Sequence, residues 1–146
     1  MTATVRNILD DKGSEVWFVS PDTSIYDTLR TMAEHKIGFV PVIEHEKILG
    51  IYSERDFARL MAARSDMPLD APIRSVMVTP VYFVNPEQTL RECMQVMSAM
   101  HFRHLPVLDG EKIIGVISIG DVVKRIMLER DYTIEELENL LWANLV

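Results

Sequence analysis

The sequence repeats itself at a constant offset of 65 residues, and this duplication limits what the chain can fold into. Residues 16–59 align with 81–124 without a gap, and 13 of the 44 aligned positions are identical. One copy of about 60 residues would bury only about 60% of its surface and be marginally stable alone, whereas two copies can pack together. The duplication therefore predicts two similar units that support each other.

Each copy has the pattern of a strand, a helix, two strands and a second helix. The segments "VWFV" (16–19) and "VYFV" (81–84) are short β-branched and aromatic runs, typical of strands. Paired runs joined by short polar turns, "FVPVI" with "ILGIY" and "HLPVL" with "IIGVI", predict a hairpin in each copy. The predicted fold class is α/β (α+β), a duplicated βαββα unit followed by a C-terminal helix.

Apolar spacing and capping residues place the helices. Ser24 and Thr89 are the predicted N-caps of the first helix in each copy. The second helices would bury Phe57, Leu60 and Met61 in one copy and Val122, Val123, Ile126 and Met127 in the other. The tail begins with a capping box, Thr133 and Glu136, and carries a predicted apolar face of Ile134, Leu137, Leu140 and Leu141.

Composition shifts set the predicted boundaries. The segment 65–72 contains two prolines and mixed charge, which is typical of a linker. We expect a first repeat at 3–64, a second repeat at 73–130 and a helical tail at 131–146.

Charge and composition exclude several classes of function. The net charge of −7 argues against broad contact with nucleic acid, which requires a basic face. No apolar run is long enough to predict a membrane span, and the N-terminus lacks a signal-peptide pattern, so we expect a cytoplasmic protein. The single Cys93 is predicted to be a buried core thiol, and the four histidines lack the spacing of metal ligands.

The segments "GIYSERD" (50–56) and "GVISIGD" (115–121) repeat glycine, serine and aspartate at the same spacing. Serine ahead of an apolar-periodic helix predicts an N-cap, at Ser53 and at Ser118. A capping box prefers Glu or Gln as the reciprocal residue, so we expect capping alone to explain Asp56 and Asp121 poorly.

A second interpretation is a ligand site. Glycine permits close approach at the strand end, serine presents a hydroxyl, and the aspartate carboxylate can accept two hydrogen bonds from a cis-diol. A helix N-terminus also favours a nearby negative charge. These properties match a ribonucleotide. The predicted apolar walls for its base are Val40, Pro41, Leu105 and Pro106.

The chain resembles a tandem pair of cystathionine β-synthase (CBS) domains, called a Bateman module, over about residues 3–130. The resemblance rests on the duplicated βαββα order, on "VPVI" and "LPVL", and on the two Gly-hydrophobic-x-Ser-x-x-Asp motifs. The segments "SERD", "RHLPV" and "SIGDVVK" are also similar to small stand-alone bacterial members of the family.

The resemblance implies a pseudo-twofold pair of repeats with two clefts for adenine nucleotides. It implies that Asp56 and Asp121 bind ribose hydroxyls, and that Ser53 and Ser118 meet ribose or phosphate. Members of the family bind AMP, ADP, ATP, NAD or S-adenosylmethionine, and many form homodimers. We expect AMP first among these ligands, and a homodimer.

The two copies differ around the motif. Arg55 and Arg103 are the best candidates to bind a nucleotide phosphate, because the guanidinium is a planar donor of several hydrogen bonds. Each arginine is explained equally well as a surface side chain or as a partner of the abundant carboxylates. His104 is a further site candidate, and Lys12 and Thr79 are weaker ones.

Three classes of function remain open at this point. The first is a non-catalytic sensor, in which a bound nucleotide changes the module and an unidentified effector protein reads the change. The second, an enzyme, is disfavoured because the sequence has no P-loop, paired metal carboxylates or Ser-His-Asp arrangement. The third is a structural oligomerisation module whose motifs act only as helix caps.

Overall fold

The structure, a computed structural model, describes residues 2–129 and 132–145. Six helices and four strands lie in these residues, which confirms the predicted mixture of α and β elements. None of these helices is both long and apolar enough to cross a membrane. The elements in chain order are α1 (Val5–Lys12), α2 (Ile25–His35), β1 (Phe39–Glu44), β2 (Lys47–Ser53), α3 (Glu54–Ala63), α4 (Leu90–Met100), β3 (His104–Asp109), β4 (Lys112–Ser118), α5 (Ile119–Ile126) and α6 (Ile134–Leu145).

The chain divides into two compact units, one for each repeat. The first-repeat unit is continuous and runs from Trp17 to Val81. The second-repeat unit is discontinuous, since it combines the residues up to Val16 with those from Tyr82 onward. The boundaries predicted at 3, 64, 65, 72 and 73 stay predictions, and those at 130, 131 and 146 lie outside the described residues.

Each unit contains a two-stranded antiparallel hairpin, β1 with β2 and β3 with β4. The two hairpins share one register, in which Phe39 opposes Ser53 and His104 opposes Ser118. Both hairpins also shift register immediately after the Pro-Val pair, between Val42 and Ile43 in β1 and at the matching position of β3. The predicted hairpins are therefore confirmed, and the structure shows that their geometry is nearly identical.

The predicted strands at 16–19 and 81–84 are wrong, because each is reduced to one bridging residue. Val19 pairs in parallel with Val42, and Val84 with Val107. The Val19 amide donates to the Pro41 carbonyl at 3.2 Å, and the chain then turns at a proline two residues later. The neighbouring aromatic side chains remain exposed: Trp17, Phe18, Tyr82 and Phe83.

The helices that follow these bridges begin at the predicted caps. Ser24 Oγ accepts the Asp27 amide at 2.9 Å, and Thr89 Oγ1 accepts the Glu92 amide at 3.1 Å. Both predicted N-caps are confirmed. In each helix the apolar side then packs into the core of its own unit, with Met32 buried in the first unit and Met97 in the second.

Helix α1 belongs to the core of the second-repeat unit. Its Val5, Ile8 and Leu9 are buried with Leu105 from β3 and other residues of that unit. In the first-repeat unit Ile73, from the 3-10 turn after the linker, is buried in the same way. Cys93 is buried in the second core, where burial raises the pKa of its thiol to about 12, so the predicted core thiol is confirmed.

Two predicted apolar faces are partly wrong. Met127 is 79% exposed, because α5 ends at Ile126 and the chain leaves the core there. The predicted capping box of α6 is present, with the Glu136 amide 3.1 Å from Thr133 Oγ1. However, Ile134 and Leu141 are exposed, and the face against the core is formed by Leu137, Leu140 and Asn144.

Replacement of the motif glycines by alanine is expected to affect the two units unequally. A Cβ at Gly115 would lie 2.6 Å from Leu9 Cδ2, whereas a Cβ at Gly50 would lie 2.6 Å from the sulfur of Met77. Overpacking costs about 1–3 kcal/mol. Leu9 is buried within the core of the second-repeat unit, whereas Met77, whose Cγ and Cβ would lie 2.7 and 3.1 Å from the added Cβ, is only partly buried and can shift toward solvent. We expect Gly115→Ala to lower the thermal unfolding midpoint more than Gly50→Ala. An equal or larger loss in Gly50→Ala would contradict this.

Candidate functional site

The two Gly-x-x-Ser-x-x-Asp motifs place a serine and an aspartate at the junction of a strand and a helix. Ser53 ends β2 and caps α3, and Ser118 ends β4 and caps α5. The amide of Ser53 donates to Asp56 Oδ2 at 3.0 Å, and the Asp56 amide donates to Ser53 Oγ at 3.2 Å. The matching distances in the second motif are 2.8 and 3.1 Å.

Both motifs thus form a complete capping box, which corrects the expectation that aspartate is too short for this role. The reason is that the extended backbone of each serine brings its amide close to the following helical turn. A box with an equally short side chain opens α1, where Asn7 Oδ1 accepts the Thr4 amide at 2.9 Å. Capping therefore accounts for the presence of Asp56 and Asp121 at these positions.

Capping uses only part of each carboxylate. Within the described residues, every side-chain hydrogen bond of Asp56 and of Asp121 involves Oδ2. A carboxylate has about four acceptor positions on its two oxygens, so Oδ1 of each aspartate is able to accept a further donor. A cis-diol is one ligand that supplies such donors.

The motif glycines have a different role from the one expected. Their small size admits a protein side chain, Met77 beside Gly50 and Leu9 beside Gly115. Leu9 and Met77 lie just before the aligned copies 16–59 and 81–124, respectively. Each of these side chains packs against the second strand of a hairpin. The expectation that these glycines open the strand end to a ligand is therefore not what the structure supports.

The two aspartates differ in their ionic partners. Lys12, at the end of α1, donates from Nζ to Asp121 Oδ2 at 2.7 Å and to the Val116 carbonyl at 2.9 Å. Within the described part of the chain, no cationic side chain lies within ion-pair distance of Asp56. At an offset of 65, the counterpart of Lys12 is the apolar Met77.

This difference changes the electrostatics of the second motif. Burial, the largest influence, raises the pKa of Asp121, but hydrogen bonds from Lys12 and Ser118 and the positive charge of Lys12 together outweigh it. The pKa of Asp121 therefore lies below its ordinary value, and the carboxylate is ionised at neutral pH.

Arg103 and His104 lie beside the second motif. The Arg103 carbonyl accepts the amide of Ile119, the first residue of α5, at 2.8 Å. The Arg103 guanidinium donates from Nε and Nη2 to the Asn144 carbonyl of α6, at 3.1 and 2.8 Å. The guanidinium partner is thus a backbone carbonyl and not the carboxylate of the alternative explanation, and the contact of Arg103 with a nucleotide phosphate stays a prediction.

His104 is placed next to Ser118 across the hairpin. Burial and, secondarily, the charge of Lys12 lower the pKa of His104 to about 4. Its imidazole is therefore neutral at physiological pH and offers hydrogen bonding without a positive charge.

The remaining candidates stay predictions as ligand contacts. Arg55 lies in the first turn of α3 and is half-buried, and Thr79 is exposed beside the bridge between Ile51 and Val78. The four residues predicted to flank the base are buried within their hairpins: Val40, Pro41, Leu105 and Pro106.

One feature of the site was missed in the sequence, namely the contact of the α6 C-terminus with Arg103. No local pattern links residues 41 positions apart, and the apolar spacing of α6 indicated a different buried face. The salt bridge of Lys12 with Asp121 was detectable in part, since Lys12 was a candidate, but its partner was expected to be a ligand.

Replacing Lys12 by its repeat counterpart, Lys12→Met, tests the asymmetry of the two motifs. We expect the pKa of Asp121 to rise, as measured by NMR titration of its carboxyl carbon. The salt bridge is partly exposed, so its loss costs about 1 kcal/mol or less at neutral pH. Because the folded-state pKa is lowered, this stabilisation is present above the ordinary pKa of 3.8 and is lost as the pH falls through the lowered value. An unchanged Asp121 titration would contradict the assignment.

Comparison with known proteins supports the interpretation of the duplicated sequence as a tandem pair of CBS domains. The CBS domain model matches residues 5–63 and 73–128. The mitochondrial CBS domain-containing protein CBSX3 of Arabidopsis thaliana is 30% identical, over 95% of this chain and 70% of its own length.

Solved structures agree in fold. A CBS-domain-containing protein of Agrobacterium tumefaciens has a TM-score of 0.81 and 36% identity, covering 85% of this chain and 99% of its own. The structure of CBSX2 in complex with AMP has a TM-score of 0.70 and 25% identity, covering 88% and 99%. The chain, with two matched domains in tandem, belongs to the CBS-domain family and forms a Bateman module.

Proposed function

We propose that this chain is a non-catalytic regulatory module that binds an adenine nucleotide, with AMP preferred over ADP, ATP, NAD and S-adenosylmethionine. The observation that carries the proposal is the pair of Ser-Asp boxes, each of which fixes a carboxylate and leaves its Oδ1 available. Membership in the CBS-domain family and the AMP complex of CBSX2 support the choice of ligand class.

The chemistry of each junction suits a nucleoside phosphate. The fixed carboxylate accepts hydrogen bonds from ribose hydroxyls, and the helix N-terminus favours an anion nearby. In the second-repeat unit Lys12 and Arg103 supply positive charge close to the motif, and in the first-repeat unit Arg55 lies within the motif. Val40, Pro41, Leu105 and Pro106 are the proposed contacts of the base, with Thr79 and His104 at the margins.

A purely structural role has an observation in its favour, because both boxes satisfy the helix N-termini without any ligand. In that case the module would only oligomerise, and substitution of the aspartates would alter stability alone. The two functions are separated by the affinity for nucleotide.

The decisive experiment is calorimetric titration with AMP, ADP, ATP, NAD and S-adenosylmethionine on the wild type and on Asp56→Asn and Asp121→Asn. Asparagine preserves the cap, as Asn7 does in α1, but removes the charge that binds the diol. We expect the variant of an occupied motif to weaken AMP binding about tenfold or more, because a hydrogen bond to a charged group contributes about 1.5–3 kcal/mol.

The wild type must also return AMP chemically unchanged after incubation, since turnover would indicate an enzyme. Binding unaffected by both substitutions, or no binding of any of the five ligands, would refute the proposed function. Loss of binding in one variant only would identify which motif is occupied.

We also propose that the module forms a homodimer and that an effector protein reads its ligand state. Apolar side chains exposed on the second-repeat unit, among them Met127, Leu128 and Trp142, would gain from such contacts. Analytical ultracentrifugation at micromolar concentration is expected to give twice the mass of the chain. A mass of one chain at all concentrations would contradict the dimer. The cytoplasmic location stays a prediction from the sequence.

A further inference from the structure

The C-terminal turn of α6 holds side chains from the segment that leads into β3. Arg103 donates twice to the Asn144 carbonyl, and His101 Nδ1 is hydrogen-bonded to the Ala143 carbonyl. Carbonyls in the last turn of a helix have no acceptor role within that helix, so they are available to outside donors. The contact therefore joins α6 to the segment that reaches the second motif.

Arg103 is fixed to the second motif through its backbone. Its carbonyl accepts the Ile119 amide at the start of α5, and the next residue, His104, opposes Ser118 in the hairpin. The backbone is thus anchored at the motif while the guanidinium is directed to α6. Two of its five N–H donors are used there.

We propose that α6 is an internal competitor for the phosphate of the nucleotide, because its terminal carbonyls occupy the guanidinium that the phosphate would use. The inference rests on the proposed function and adds its regulation. A phosphate is a full anion and binds a guanidinium through two parallel bonds, whereas the carbonyl is a neutral acceptor that carries only the partial charge of the helix end. Phosphate is therefore able to displace α6 from the guanidinium, and α6 then loses its docked position on the core.

The docking of α6 rests on one face of the helix, which includes Leu137 as well as the following residues. Leu140 and Asn144 are buried, with Asn144 only 2% exposed, and Glu136 pairs with Arg91 of α4. The opposite side carries the exposed Ile134 and Trp142. Separation of α6 from α4 would expose these side chains, while the hairpin and α5 keep their own hydrogen bonds and capping box.

This competition between α6 and phosphate acts on the second repeat only. The position equivalent to Arg103 in the first repeat is Gly38, which has no side chain for a helix to hold. The competition for Arg103 therefore has no counterpart at the first motif, and the two motifs differ in regulation as well as in charge.

A simpler role for the same contact is capping, since a cation at a helix C-terminus stabilises the helix. In that case Arg103 would favour α6 without any link to ligand affinity. The two roles differ in one measurable property, the dependence of AMP affinity on the integrity of the last turn of α6.

The test uses full-length Ala143→Pro, because proline in the last turn removes a helical amide bond and frays the carbonyls that hold Arg103. We expect AMP to bind about five- to tenfold more tightly to this variant than to the wild type, by calorimetry. Adenosine, which lacks the phosphate, is expected to bind both proteins equally. Glu138→Gln, at an exposed position of the same helix, is the matched control and should leave both affinities unchanged.

A second variant keeps the proposal testable if Ala143→Pro misfolds. Leu140→Ala loosens the buried side of α6 and should also tighten AMP binding while leaving adenosine unaffected. In an Arg103→Gln background neither α6 substitution should change AMP affinity. By reciprocity, saturating AMP should increase amide hydrogen exchange in α6 of the wild type.

The outcomes separate this inference from the proposed function. AMP binding with the same affinity in the wild type, Ala143→Pro and Leu140→Ala would overturn the competition and leave nucleotide binding intact. An equal gain for adenosine and AMP would overturn it as well, since the effect would not involve the phosphate. Absence of AMP and adenosine binding in every variant would overturn both.

Discussion

The reciprocal hydrogen bonds of the Ser-Asp box are the constraint on which the site depends. They set where α3 and α5 begin, and by the same contacts they fix the direction of Asp56 and Asp121. A carboxylate that already serves as a cap has a fixed position, so a ligand that binds its second oxygen need not order it. Structural and ligand-binding roles are thus compatible in one side chain, and the cap prepares the acceptor.

The duplication produced two strand–helix junctions with the same Ser-Asp capping box. The residues around the two junctions differ in charge. In the second repeat Lys12 neutralises Asp121, Arg103 approaches the motif and α6 approaches Arg103. In the first repeat the matching positions are Met77 and Gly38, which carry no charge. The chemical difference between the motifs therefore has two sources: Glu54 and Arg55 inside the first motif, where the second has Ile119 and Gly120, and the segments outside the Ser-x-x-Asp sequence.

Most features with short-range causes could be predicted from the sequence, and those with long-range causes could not; the exception is the reciprocal role of Asp56 and Asp121 in the capping boxes. The caps at Ser24 and Thr89, the hairpins and the capping box at Thr133 depend on neighbouring residues, and all were correct. The strands at 16–19 and 81–84 failed because local β propensity cannot indicate whether a partner strand continues beyond one residue. The buried face of α6 failed for a similar reason, since Asn144 is buried by tertiary contacts that apolar spacing does not reveal.

The discontinuity of the second-repeat unit has a consequence for biosynthesis. Residues 17–81 are contiguous, so their unit has every residue it needs as soon as that stretch has emerged from the ribosome. Helix α1 emerges earlier but packs with residues from Tyr82 onward, which are translated later. The nascent chain must therefore carry an amphipathic helix without its partner while another part of the molecule folds, and that interval is when a chaperone would find an exposed apolar surface.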